Sequence, residues 1–237
     1  MDKNIRMQNQ DKPLIDSVTK FLQCSQQYDY SKNMFWMGMQ TMQYPEDLIA
    51  LQEILWKTKP GVVIATGVAN GGTLIFISSI MRSYIQSPLV IGIDPFVSSD
   101  TKRALCSHVY GDSIRLVEAS STTPQSVQYV KTILSNTQCA SPIMVVLDSM
   151  HDTEHVSQEI QLWKDFVSIN CYLLVCWTVI GECDDVLYKT KLWGKESNPL
   201  IAVRQFLEAH PEFHLDNSFE RKYLITSSGK GFLKRII

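Results

Sequence analysis

Three polar residues in the segment "LDSMHDTEH" have the types and the spacing that proton-transfer or metal chemistry requires. Asp148 ends an apolar run, and His151 and His155 follow, four residues apart from each other. On a helix this spacing places both imidazoles on one face, as two metal ligands or an acid–base pair need. We expect His155 to pack within the helix and His151 to lie at the cleft, where it is a candidate general base.

Glycines and a second acid follow two earlier apolar runs. In "GVVIATGVANGGTLIF", Thr66 and Gly67 close a β-like run, and Gly71 and Gly72 open a helix. Such a turn is typical of a nucleotide-like ligand site, although a tight strand-to-helix turn needs glycine for structural reasons as well. The spacing does not match GxGxxG, so a dinucleotide is not favoured. Asp94 in "IGIDP" is predicted to accept both hydroxyls of a ribose, and the alternative is a turn or helix-capping role.

An alternation of apolar runs and amphipathic stretches must position these side chains. Strands are predicted at 62–66, 89–94, 114–119, 143–148 and 172–178, with helices at about 71–85, 99–109, 123–136 and 153–167. The strands are continuous apolar runs, so both faces of the sheet should be covered. The pattern predicts an α/β fold with a Rossmann-like, doubly wound, mostly parallel sheet, whose ligand lies beyond the carboxyl ends of the strands. Ser120, after the third strand, either binds an adenine or caps the next helix.

The two ends of the chain give weaker signals. Residues 1–13 are polar and predicted to be frayed, and a short amphipathic helix follows in "PLIDSVTKFLQCSQQYDY". The segment "NMFWMGMQTMQY" has no clear period. "PEDLIALQEILWKTKP" is predicted to be a helix whose first turn is complemented by Glu46 and Asp47. After a polar loop at 181–197, a helix at 198–212 and two antiparallel strands, "FHLD" and "YLITSS…GFLKRI", are expected to complete the sheet.

Composition restricts the class of protein. The 237 residues fit one α/β domain, with 45% hydrophobic and 19% charged residues and a net charge of −2. Because the basic residues are scattered, we expect a small-molecule ligand and no nucleic acid. The six cysteines show no metal-binding spacing, no secretory signal is recognised, and the longest apolar run is too short to cross a bilayer. These features predict a cytoplasmic protein without a membrane span.

Several motifs, taken in order from Phe35 onward, resemble one known family. "MQTMQYPEDLIALQEILWKTKP" is similar to its Gln-Tyr/Leu-Pro-x-Asp helix, with Gln43 in the motif position, and "IATGVANGGTLIF" is similar to its cofactor loop. "IGID", "VEASS", "VVLDSMHDTEHV", "WGKESNPLIAVRQFL" and "YLITSSGKGFLKRI" follow in the family's order. The chain is identified as similar to the cephalosporin hydroxylase-like group of class I S-adenosyl-L-methionine (SAM) methyltransferases, which includes rhamnosyl O-methyltransferases.

The resemblance implies a cofactor, a domain organisation and a set of ligand contacts. It implies a SAM-binding domain at 45–237, an N-terminal cap or lid at 1–44 that closes over the pocket, and frequently a homo-oligomer. The residues implied in the SAM pocket, all at strand ends or in the motif helix, are Gln43, Thr66, Gly67, Gly71, Gly72, Asp94, Ser120 and Asp148.

The chain departs from the family pattern at one edge of the sheet. Many members hold magnesium with the acid that matches Asp148 and with acids at the end of the fifth strand, where this chain has Cys176 and Trp177. Neither a thiol nor an indole supplies the oxygen ligand that magnesium prefers. Ala65 likewise replaces the usual Glu of the cofactor loop. We therefore expect no metal site, unless the loop acids Glu182, Asp184 and Asp185 rebuild one.

Three functions are compatible with these residues. The first is a metal-independent SAM methyltransferase for a small molecule, with His151 and Asp148 as catalytic residues. Trp177 would then line a drier pocket and attract the sulfonium through its ring face, which contributes about 0.5–2 kcal/mol. The second is a SAM-using enzyme without an external methyl acceptor, which would release methylthioadenosine. The third is a non-catalytic binding paralogue.

Overall fold

A central sheet organises the molecule, for which a computed structural model describes residues 3–137, 142–183 and 192–237. Within these ranges the strands are β1 (Phe35–Trp36), β2 (Met39–Gln40), β3 (Val62–Thr66), β4 (Leu89–Ile93), β5 (Ile114–Val117), β6 (Ile143–Leu147), β7 (Tyr172–Val175), β8 (Phe213–Leu215) and β9 (Phe232–Arg235). The main sheet has the order β5-β4-β3-β6-β7-β9-β8. Strands β3 to β7 are parallel, and β9 runs antiparallel to β7 and β8. The predicted doubly wound, mostly parallel sheet is confirmed.

Helices pack in two groups against this sheet. They are α1 (Lys3–Gln8), α2 (Lys12–Gln26), α3 (Pro45–Thr58), α4 (Gly72–Met81), α5 (Ser99–Ser107), α6 (Pro124–Ser135), α7 (Thr153–Trp163), α8 (Pro199–Ala209) and α9 (Asn217–Lys222). Helix α3 contacts α4, whereas α7 contacts both α6 and α8. All residues of β3, β4 and β7 are buried, as expected for strands covered on both faces.

The strand order reverses between β3 and β6, and this switch point positions the candidate site. From β3 the chain continues outward to β4 and β5 and then returns to β6 on the other side of β3. The carboxyl ends of β3 and β6 are therefore adjacent, and the Asp148 amide donates to the Thr66 carbonyl at 3.1 Å. In open α/β sheets this crevice is where ligands bind.

A two-stranded hairpin explains the aperiodic segment "NMFWMGMQTMQY". Strands β1 and β2 pair antiparallel around Met37 and Gly38, which both have positive φ. The hairpin packs on α4, where the Trp36 indole donates to Ser79 Oγ at 2.9 Å and its ring lies 4.9 Å from that of Phe76. Strands of two residues are too short to produce a period in the sequence.

The predictions at the two chain ends have different outcomes. Residues 3–8 form the short helix α1, in which no residue is buried, and the frayed end stays a prediction. The segment at 223–228 is not a strand, since only Phe232–Arg235 of the predicted closing strand pairs with the sheet. Thr226 and Ser227 instead direct their hydroxyls to the buried carboxylate of Asp47. Hydroxyl side chains that satisfy a buried acid compete with the regular hydrogen bonds of a sheet.

Candidate active site

Asp148 occupies the centre of the switch-point crevice, directly after β6. Gln43 Nε2 donates to Asp148 Oδ2 at 2.7 Å, and the Trp177 side chain lies close enough to the same carboxylate to lower its pKa. The structure thus joins residues from three separate motifs, and it agrees with the sequence prediction that Asp148, Gln43 and Trp177 share one corner.

The surroundings of Asp148 favour its protonated form. Burial raises the pKa of this carboxyl to about 8, and the negative charges of Asp47 and Glu159 add to the shift. The hydrogen bonds from Trp177 and Gln43 oppose it only in part. A carboxyl with this pKa exchanges a proton near neutral pH and serves as an acid or a base.

Trp177 reaches Asp148 through an unusual backbone conformation. Its φ is +59°, in the left-handed region that bulky residues rarely adopt. The ring lies 6.2 Å from Tyr44 and 5.8 Å from His151, and the side chain remains half-buried. Trp177 therefore faces the crevice and not the sheet core, as the sequence predicted. Backbone strain of this kind is concentrated at functional sites.

His151 lies against the same indole. Its ring is 5.8 Å from Trp177 and makes an edge contact with Trp193 at 5.1 Å. Burial lowers the pKa of His151 to about 4, and the nearby charge of Glu159 opposes this only partly. The imidazole is consequently neutral at physiological pH, and it is a weak base, because burial disfavours the charged form that it becomes on accepting a proton.

The residues around Asp148 do not fit a magnesium ion. Cys176 is buried at 4% exposure, and burial, followed by the charge of Asp148, raises the pKa of its thiol, so it stays neutral. Glu182 forms an ion pair with Lys230. Over 3–137, 142–183 and 192–237, no cluster of three or more His, Cys, Asp or Glu side chains has the arrangement of a metal site. Asp184 and Asp185 lie outside the described residues.

Asp94 connects the cofactor loop to the neighbouring strand. Its Oδ2 accepts from the Val68 amide at 2.9 Å, and its Oδ1 accepts from the Phe96 amide at 3.0 Å. Oδ2 also accepts from the Ala69 amide at 3.5 Å, whereas Oδ1 accepts one hydrogen bond and retains a lone pair for a ribose hydroxyl. The turn role and the ribose role considered from the sequence are therefore compatible.

Protein atoms, and not open space, lie directly against the three glycines of the loop. A Cβ on Gly67 would lie 2.0 Å from the Asp148 carbonyl oxygen, and one on Gly72 would lie 2.2 Å from that of Gln40. Gly71 has a φ of +81° at the cap of α4, and a Cβ there would meet Leu105. Close packing of the backbone is sufficient to explain these glycines, and their contact with a cofactor stays a prediction. Ala65 is buried within β3 and places no charge near the loop.

Ser120 does not cap the helix that follows it. Its hydroxyl lies 3.0 Å from Thr122 Oγ1, while Thr123 supplies the cap of α6. The capping alternative for Ser120 was therefore wrong. Adenine binding by Ser120 remains a prediction.

The sequence did not identify two buried acids beside the site. Asp47, predicted to complement the first turn of α3, is only 7% exposed and accepts from the Ser227 amide at 2.9 Å. Glu159 is fully buried on α7. A signal for Glu159 was present, because it lies on the same helical stripe as Val156, Ile160 and Trp163, all of which are buried.

Comparison with known proteins assigns the chain to a family. The profile described as "Rhamnosyl O-methyltransferase/CmcI" matches residues 28–236. The chain belongs to this family. Rhamnosyl O-methyltransferases of Mycobacterium tuberculosis and Mycobacterium bovis are 27% identical to it over 213 residues, covering 87% of this chain and 82% of theirs.

Solved structures with the same fold support the architecture. A CmcI structure with Mg and SAM has a TM-score of 0.59 at 15% identity and covers 87% of this chain and 78% of its own. The O-methyltransferase TomG from Streptomyces achromogenes, in complex with SAM, has a TM-score of 0.53 at 11% identity and covers 94% and 89%. At these identities the likeness concerns the fold.

Family membership confirms the resemblance drawn from the motifs, the transferase class and SAM as the cofactor. Among the helices of the described ranges, none combines the length and the apolar character needed to cross a membrane.

Proposed function

We propose that this chain of the rhamnosyl O-methyltransferase/CmcI family methylates an oxygen of a small molecule without help from a divalent cation. The observation that carries the proposal is the chemistry of the corner around Asp148, where Gln43 Nε2 donates to the carboxylate at 2.7 Å and the two side chains that follow β7, Cys176 and Trp177, carry no oxygen. The neutral thiol of Cys176 adds no oxygen ligand at the same corner.

The residues proposed to hold the cofactor extend along the sheet edge. SAM, when bound, supplies a methyl group activated by a sulfonium. Asp94 would accept the ribose hydroxyls, and Ser120 would face the adenine. The loop with Thr66, Gly67, Gly71 and Gly72, together with Gln43, Asp148 and Trp177, would hold the methionine end. The Trp177 ring face attracts a cationic sulfonium.

His151 is the proposed base for the acceptor. Its imidazole is unprotonated at neutral pH and lies next to Trp177 at the Asp148 corner. It would take the proton of the acceptor hydroxyl as the new oxygen–carbon bond forms. Asp148, held by Gln43 and Trp177, would orient the acceptor, because positioning supplies much of the rate of a direct displacement.

We further propose that residues 1–44 act as a cap on a transferase domain at 45–237. Two contacts of this segment with the domain support the proposal: the Tyr44 ring lies 6.2 Å from that of Trp177, and Gln43 Nε2 donates to Asp148 Oδ2 at 2.7 Å. A small-molecule substrate, no nucleic-acid or membrane partner, a cytoplasmic location and a possible homo-oligomer complete the proposal.

Calorimetric titration with SAM tests this function. We expect wild-type protein to bind SAM and Asp94→Ala to lose at least about tenfold in affinity, since each hydrogen bond to a charged group contributes about 1.5–3 kcal/mol. Asp100→Ala, at the exposed start of α5, is the matched control and should bind normally. Absence of both heat and a thermal shift at millimolar SAM would refute the proposal.

S-adenosylhomocysteine should form only with an acceptor, whereas methylthioadenosine formed from SAM alone would contradict methyl transfer.

A further inference from the structure

Four rings contact one another in succession next to Asp148, and we call them the aromatic corner: Tyr44, Trp177, His151 and Trp193. Successive ring centroids are 6.2 Å apart for Tyr44 and Trp177, 5.8 Å for Trp177 and His151, and 5.1 Å for His151 and Trp193. Tyr44 is fully buried behind the others, which are half-buried and therefore reached from outside. The corner presents ring surfaces to whatever binds beside Asp148.

The aromatic corner offers few hydrogen-bond donors to a ligand. The Tyr44 hydroxyl already bonds with Ser25 and Gln26, and the Trp177 side chain interacts with Asp148. Ring faces suit a flat, partly apolar ligand, because stacked or edge contacts between rings are favourable beyond the area that they bury. A sugar ring also stacks on an indole, so stacking alone does not separate the two substrate classes.

The acidity of the acceptor hydroxyl does distinguish a flat, partly apolar acceptor from a sugar. A bound cation lowers the pKa of an attached hydroxyl, but the described residues form no cluster of three or more His, Cys, Asp or Glu side chains that could hold such a cation at this corner. A tyrosine-like phenol ionises near pH ~10, whereas water, which an alkyl hydroxyl resembles, ionises near ~15.7. At a given pH the fraction of reactive oxyanion therefore differs by about five to six powers of ten between the two.

We propose that the acceptor is a planar molecule whose hydroxyl is acidic, a phenol or an enol, and that it stacks in the aromatic corner. This inference rests on the proposed methyl transfer. In the step, the acceptor O–H bond breaks and His151 takes the proton. The oxygen forms the bond to the methyl carbon, and the electron pair of the broken carbon–sulfur bond remains on sulfur.

A graded panel of acceptors tests the substrate class with the wild-type chain. The probes are 4-nitrophenol, phenol, a cyclic 1,3-diketone in its enol form, methyl rhamnoside and cyclohexanol, with S-adenosylhomocysteine measured by mass spectrometry. We expect the enol and the phenols to be methylated at least about a hundredfold faster than methyl rhamnoside or cyclohexanol. Equal or faster turnover of methyl rhamnoside overturns the inference while leaving the methyl transfer intact. No turnover of any probe by a chain that binds SAM overturns the inference as well, and no SAM binding refutes the proposed function itself.

A variant of Trp193 tests the stacking independently. Trp193→Ala should raise the KM of the phenol at least about tenfold and leave the SAM affinity within about twofold. Trp56→Ala is the matched control, because Trp56 is an exposed indole on α3 and packs on Tyr84, away from the site. An unchanged phenol KM in Trp193→Ala would overturn the stacking. If Trp193→Ala fails to fold, Trp193→Phe keeps a ring and should retain a KM near that of the wild type, whereas Trp193→Leu should raise it.

Discussion

Ser149, the residue after Asp148, donates a hydrogen bond from its hydroxyl to Oε1 of Glu159 at 2.7 Å. Glu159 is 0% exposed, and its Oε2 has no hydrogen-bond partner in the part of the chain that the structure describes. His155 Nε2 lies 3.0 Å from Ser149 Oγ and 3.6 Å from Glu159 Oε1. This buried group fixes the loop that follows β6 and carries Asp148. His155 thus packs within α7, in agreement with the sequence prediction.

Replacement of Glu159 should destabilise the fold. Glu159→Ala leaves Ser149 and His155 without their buried acceptor, which is expected to lower the free energy of unfolding by about 2–4 kcal/mol. Urea denaturation measures this change. Glu154→Ala, on the same helix but exposed, is the control and should stay within about 0.5 kcal/mol of the wild type. Equal effects of the two substitutions would show that the Ser149–Glu159 bond contributes nothing.

The same group predicts a pH dependence. The Glu159 carboxylate, whose Oε1 lies 3.6 Å from His155 Nε2, raises the pKa of His155 above its ordinary value. A raised folded-state pKa stabilises the fold fully below the unfolded pKa of about 6.5, and this contribution is lost as the pH rises through the folded value. Wild-type stability should therefore fall between about pH 6 and pH 8 more than that of Glu159→Gln. Parallel urea titrations of both proteins provide the measurement, and identical pH slopes would contradict the prediction.

Asp148 should limit stability at alkaline pH. Its pKa is raised to about 8 in the folded chain, so the folded chain binds the proton more tightly than the unfolded chain does. The free energy of unfolding therefore declines as the pH rises from about 4 through about 8. Because solvent reaches part of this side chain, we expect Asp148→Asn to gain about 1–2 kcal/mol relative to the wild type between pH ~5 and pH ~9. The same variant should lose methyl transfer. A constant difference across this pH range would rule out the raised pKa.

The parts of the fold that the sequence predicted are those specified by long local patterns. Five continuous apolar runs gave β3 to β7 to within a few residues, because a strand buried on both faces needs no partner information to be recognised. The β1–β2 hairpin and the segment at 223–228 depend on contacts with distant residues. Trp36 reaches Ser79, and Ser227 reaches Asp47. No local pattern encodes such contacts.

In the candidate site, too, some features were predictable from the sequence and others depend on contacts between distant residues. Asp148 and Gln43 were accessible from motif order, and Trp177 from the absence of acids at the end of the fifth strand. The burial of Glu159 and its bond to Ser149 arise only when α7 packs on the sheet. The backbone of Trp177 in the left-handed region also has no sequence signal, because bulky residues are disfavoured there.

Tyr44 should couple the N-terminal segment to the site. Its buried hydroxyl bonds with Ser25 Oγ at 3.1 Å and Gln26 Nε2 at 2.7 Å, and its ring contacts Trp177. Tyr44→Phe removes both bonds and keeps the ring, so α2 should be cleaved several-fold faster in limited proteolysis, with a loss of about 1–2 kcal/mol. Tyr84→Phe, which removes a bond to Pro60, is the control and should leave the cleavage of α2 unchanged. Equal rates of α2 cleavage in both variants would show that the Tyr44 hydroxyl does not hold α2 in place.

Removal of divalent cations should leave the activity intact. The described residues form no cluster of three or more His, Cys, Asp or Glu side chains that could hold a metal, and the neutral thiol of Cys176 beside Asp148 is not a ligand that magnesium prefers. We therefore expect the initial rate of methyl transfer to change less than about twofold in excess EDTA or with added magnesium. Glu182→Gln should also retain activity, because that carboxylate pairs with Lys230. An activity that disappears in EDTA and returns only with magnesium would mean that acids of the loop after β7 rebuild a cation site, and a simultaneous loss in Glu182→Gln would identify one of its ligands.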